Sequence, residues 1–86
     1  MKIETFRQRL QSGKGVSYHY RTEGKIRIIG IWRYEGKFVL TWEEFVEGDF
    51  YNEQSYTRDE THHFKAVEEV LEFLKLNKVN PRVFKP

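Results

Sequence analysis

Three groups of residues in this chain of 86 have side chains that could do chemistry. The first is Asp59, Glu60, His62 and His63. Imidazoles beside carboxylates are common ligands of zinc and related cations. On an extended segment, however, His62 and His63 point to opposite sides, and a third ligand such as His19 would have to arrive through the fold. No metal site is expected. The second group is the pair Glu43-Glu44. Two carboxylates serve as general acid and base when they face a common substrate. As neighbours on a strand they face apart. The third is His19, Arg21, Arg27 and Tyr51, a set with the means to hold and cleave a phosphodiester. It makes a small nuclease-like enzyme a further alternative. The chain has no cysteine, which excludes disulfides and thiolate metal sites. The stretch GKG at 13–15 lacks the remaining spacing of a phosphate loop and reads as a turn. No cofactor motif is present, and the expectation is a protein that is not an enzyme.

Composition narrows the class. One-third of the residues are charged, at 33%, and no apolar run approaches the roughly 18 residues of a membrane span. The first ten residues, MKIETFRQRL, have no apolar signal-peptide core, so the expected setting is cytoplasmic. Net charge is only +2, but its distribution is uneven. Residues 1–37 hold nine Lys/Arg against three Glu, residues 38–72 hold two against ten acids, and residues 73–86 hold four and no acid. Such a chain folds into a molecule with a basic and an acidic region.

The elements that must position these groups are marked by a repeated dipeptide. Glu-Gly stands at 23–24, 35–36 and 47–48, an interval of 12 residues each time. Each pair reads as the tip of a hairpin, with Gly supplying the left-handed backbone that a three-residue loop needs. The flanks are rich in aromatic and β-branched residues, as strands are. Strands are predicted at 15–22, 25–34, 37–46 and 49–58, the last running on towards His63. A short helix is predicted over IETFRQRLQSG, with Ile3, Phe6 and Leu10 on one side and Gly13 as its stop. A longer one is predicted over FKAVEEVLEFLKLN, with Val67, Val70, Leu71 and Leu74 as its apolar stripe. Glu68 and Glu69 suit its first turn, and Pro81 forbids continuation. The expected fold is therefore a two-layer α+β domain over residues 1–80. A four-stranded antiparallel meander carries a helix at each end (αββββα), and a tail at 81–86 docks Val83 or Phe84.

Three-residue loops at 22–24, 34–36 and 46–48 imply that Arg21 faces Lys25, Arg33 faces Lys37 and Phe45 faces Asp49. Alternation then divides the sheet. The core face takes Val16, Tyr18, Tyr20, Ile26, Ile28, Gly30, Trp32, Phe38, Leu40, Trp42, Phe50 and Tyr56. Gly30 there marks either a β-bulge or a close approach. The outer face takes His19, Arg21, Lys25, Arg27, Ile29, Ile31, Arg33, Lys37, Val39 and Tyr51, and these are the candidate binding residues. An apolar centre of Ile29, Ile31 and Val39 with a charged rim points to a protein partner or a homodimer. The basic residues beside aromatics point to single-stranded nucleic acid as the alternative.

Overall fold

The computed structural model of the protein describes residues 1–48 and 56–86. Its elements are α1 (Ile3–Gln11), β1 (Val16–Thr22), β2 (Lys25–Tyr34), β3 (Lys37–Val46), β4 (Arg58–Phe64) and α2 (Val67–Leu76), followed by a 3-10 turn at Pro81–Val83. The four strands form one antiparallel sheet in the order β1-β2-β3-β4. This is the expected α+β architecture. No described helix is long and apolar enough to cross a membrane.

The turns differ from the expectation in a way that matters. Thr22 pairs with Lys25, and Tyr34 with Lys37. Each loop is therefore Glu-Gly alone. Both residues of each pair have positive φ, at 47° and 77° for Glu23 and Gly24 and 51° and 77° for Glu35 and Gly36. That is the type I′ geometry, whose twist matches that of the strands it joins. Glutamate rarely takes the left-handed region, so the dipeptide alone does not advertise this turn. Each loop is one residue shorter than expected. Both errors flank β2, so β2 alone turns over, while β1 and β3 keep the faces assigned to them.

The corrected register puts Val16, Ile31 and Leu40 in one cross-strand row and Tyr18, Ile29 and Trp42 in the next. Both helices cover this face. Phe6 and Leu10 from α1, and Val67, Val70 and Leu74 from α2, pack with Ile29, Ile31, Leu40 and Trp42 in one cluster. Ile29 and Ile31 are 0% and 1% exposed. They are core residues and not the centre of an outer face. Ile26, Ile28, Gly30 and Trp32 take the opposite side. Gly30 marks no bulge, because pairing runs unbroken through it on both edges. The Trp32 ring lies over it instead, with ring carbons 3.6 and 4.0 Å from where a Gly30 Cβ would stand. A bare glycine leaves room for the indole to come this close to the sheet.

The fourth strand also differs. Arg58–Phe64 pairs with β3, from Glu44↔Arg58 to Phe38↔Phe64, which corresponds to the end of the expected strand and its run towards His63. The proposed facing of Phe45 and Asp49, and the expectations for 49–55, Phe50 and Tyr51 included, lie outside the described residues. Tyr56, expected on the core face, stacks on Phe45 at 4.8 Å, and Phe45 is on the opposite side of the sheet. The tail docks as expected. Phe84 is buried and makes an edge contact with Phe6 at 5.5 Å. Lys85 exchanges backbone hydrogen bonds with Ser17 at 2.9 and 2.8 Å, which occupies part of the outer edge of β1.

The turn geometry yields an expected outcome. Asparagine tolerates the left-handed region far better than glutamate, so Glu23→Asn should raise stability by about 0.5–1 kcal/mol. Gly24→Ala should lower it by about 1 kcal/mol. Urea unfolding of the two variants checks both signs.

Candidate functional site

The sheet has two polar regions, and they differ in kind. The first lies on the helix side, beyond the cover of α2, and is built around Trp42. The register sets Arg27 opposite Glu44 and Glu44 opposite Arg58, with Trp42 opposite Glu60 in the adjoining row. The Arg27 Nε and the Trp42 Nε1 both donate to the Glu44 Oε1, each at 2.8 Å. The Arg58 guanidinium lies 3.7 Å above the centre of the Trp42 ring, a cation–π contact. It grips both Glu60 oxygens at 2.7 and 3.1 Å and also donates to the Asn77 Oδ1 at the end of α2. The His62 Nε2 meets the Glu60 Oε1 at 2.8 Å, and its ring packs on Phe73 at 4.5 Å.

Electrostatics follow from this wiring. Burial alone would raise the Glu44 carboxyl, but the Trp42 N–H, then Arg27 and Arg58, override it and hold it below its ordinary value. Glu60 is held low by hydrogen bonds from Arg58 and His62. Glu44 is thus bonded to Arg27 and Trp42, and Glu60 to Arg58 and His62. The geometry joins β3, β4 and the end of α2. Glu43 and Glu44 point to opposite sides, as alternation requires, and so do His62 and His63. Among the described residues no group of three or more His, Asp or Glu could hold a metal ion.

The second region is the face that carries no helix among the described residues. It presents His19, Arg21, Ile26, Ile28, Trp32, Tyr34, Lys37, Glu43, Asp59 and His63, with Val39 and Phe45 buried on the same side. Of the expected binding residues, His19, Arg21, Lys37 and Val39 stand here. Lys25, Arg27 and Arg33 stand on the helix side, Ile29 and Ile31 are in the core, and Tyr51 lies outside the described residues. The expected basic stripe is therefore divided. The nuclease-like set is divided too, because Arg27 is across the sheet from His19 and Arg21. Arg21 is paired with Glu47 at 3.1 Å.

Trp32 and Tyr34 are the residues that sequence reasoning missed. They are 38% and 60% exposed on the open face, although Trp32 was expected in the core. The available signal was the shortness of the Glu-Gly loop, which turns β2 over. No protein-family model, no curated protein and no solved structure matches the chain.

The low-titrating carboxylates predict an acid response. Their folded-state values lie below the ordinary 4.5, so their stabilisation is complete above that pH and is lost as pH falls through and below it. Glu44→Gln should cost about 1 kcal/mol at neutral pH and flatten the fall in stability on the acid side. Urea melts at several pH values, followed by tryptophan fluorescence, measure both effects.

Proposed function

We propose that the protein is a small binding module that works through the helix-free face of its sheet, without chemistry of its own. One observation carries this reading. Two large aromatic side chains, Trp32 and Tyr34, stand exposed on a rigid sheet beside half-buried Ile26 and Ile28. Exposed aromatics held by regular structure are what a binding surface offers, because little conformational freedom remains to be lost. The groups with acid–base capacity on the helix side support the same reading. They neutralise one another around Trp42, and their chief consequence is to lock β3 to β4 and α2.

The register changes the choice of partner. A protein partner or a second copy was expected from an apolar centre of Ile29 and Ile31, and both now belong to the core. That argument lapses. What remains on the surface is an aromatic pair at the β2–β3 hairpin, with charge of both signs elsewhere on the face.

A pair of substitutions tests whether the face is free to bind. Lysine at position 28 would stand opposite Glu43 on the open face, so Ile28→Lys should change stability by less than about 1 kcal/mol. Lysine at position 31 would be buried without a partner, so Ile31→Lys should cost about 3 kcal/mol or more and unfold much of the population. Equal damage from the two in chemical unfolding would mean that both faces are covered, and the reading would fall.

A further inference from the structure

We infer that the partner of this face is a single-stranded nucleic acid, engaged at the β2–β3 hairpin end of the sheet; the inference rests on the binding-module reading above. Three observations converge there.

The first is positive charge that no carboxylate among the described residues neutralises. Arg7, Arg21, Arg27 and Arg58 are each held by a glutamate. At the hairpin end the cations are different. Behind the open face, on the helix side, Arg33 donates to the Gln11 carbonyl at 2.7 Å and Arg9 to the Gly15 carbonyl at 3.1 Å. Backbone carbonyls fix these guanidinium groups without cancelling their charge. Lys14, Lys37 and Lys65 are exposed at the same end, and no carboxylate among the described residues pairs with them. Glu35, in the turn, is the acid nearest to them in the strand pairing. A cluster of this sign attracts phosphates, and a strand that neutralises it releases counterions.

The second is the aromatic pair. Trp32 and Tyr34 are two residues apart on one face of β2, so their side chains rise about 6.8 Å apart along the strand. Bases in a duplex are spaced about 3.4 Å apart along each strand. Aromatic side chains rooted at twice that interval or more suit consecutive bases only when the strand is extended and its bases are splayed, which a duplex cannot do. The Trp32 ring is held beside Gly30 and is 38% exposed, which leaves it open to a stacked base. Lys37 is the direct cross-strand neighbour of Tyr34, placing a cation beside the second ring.

The third is the boundary. Glu43 and Asp59 share a cross-strand row further along the same face, and no cation among the described residues pairs with either. Phosphates are repelled there. The bound strand is therefore confined to the hairpin end, with a footprint of roughly four nucleotides. No side chain there is placed to read base edges from a groove, so sequence preference is weak.

The test is fluorescence anisotropy with a labelled oligothymidylate of about 12 nucleotides, and with a duplex of the same length, at low salt. The expected result is binding of the single strand at least about ten-fold tighter than of the duplex. Affinity should fall about 30-fold for a five-fold rise in salt if three cations are engaged. Tyr34→Ala and Trp32→Ala should each weaken binding by about five-fold or more. Tyr34 is so exposed that its variant should melt like the parent, which keeps the test sound if loss of Trp32 disturbs folding. Glu35→Asn should tighten binding by removing the acid of the β2–β3 turn, while Glu23→Asn, the same change in the remote turn, should leave it unaltered. Absence of binding at low salt, equal affinity for duplex, or indifference to both aromatic variants would overturn the inference. If sedimentation instead reveals a second copy bound through Trp32 and no oligonucleotide binds, the nucleic-acid inference fails while the module reading stands. Strong destabilisation by Ile28→Lys would remove the module reading itself.

Discussion

The left-handed backbone at two Glu-Gly pairs decides which side of β2 looks at the helices. Positive φ at both residues of each pair closes the loop in two residues, and that length sets the register on either edge of β2. Because side chains alternate, a one-residue change would exchange its faces. Much else in the molecule follows. Ile29 and Ile31 become the floor on which Phe6, Leu10 and Leu74 pack. Trp32 and Tyr34 become surface. Arg27 comes opposite Glu44 and completes the network at Trp42. Glutamate in a conformation it disfavours is a local cost, offset by the burial of two isoleucines, each worth roughly 1.5–3 kcal/mol.

The same register sorts the charges. The basic first third of the chain and the acidic middle are brought side by side as β2 and β3. At the end bearing Glu44 and Glu60, cations and carboxylates meet and neutralise one another against the ring of Trp42. At the hairpin end the cations find only backbone carbonyls, or no partner among the described residues. One end of the sheet is thus held together by its charge, and the other is left with charge to offer. The two tryptophans mark the difference, since Trp42 is 1% exposed and Trp32 is 38% exposed.

Most of the fold was legible in the sequence, because the signals were local. The apolar stripe of α2, the aromatic and β-branched runs of the first three strands, and Phe84 as a docking residue all follow from spacing and residue type. The faces of β1 and β3 were legible as well. The face of β2 was not, because it depends on a backbone angle that glutamate usually avoids. The Trp42 network was hidden for the same reason, since only register brings Arg27 to Glu44. Arg58 and Glu60 were out of reach because the fourth strand begins nine residues later than the third Glu-Gly pair suggested. Those residues sit where a run of polar side chains, RDETHHF, gives no clear sign of a strand, although β3 pairs with all of it.

The most direct measurement is a nuclear Overhauser experiment on methyl-labelled isoleucine, read against the side chains of α1 and α2. The account predicts that the methyl groups of Ile29 and Ile31 give contacts to Leu10, Val70 or Leu74, and that those of Ile26 and Ile28 give none to either helix. Contacts from Ile26, Ile28 or the Trp32 ring to those helix residues would mean that β2 presents its other face. The register, the exposed aromatic pair and the binding surface built on them would then be contradicted together.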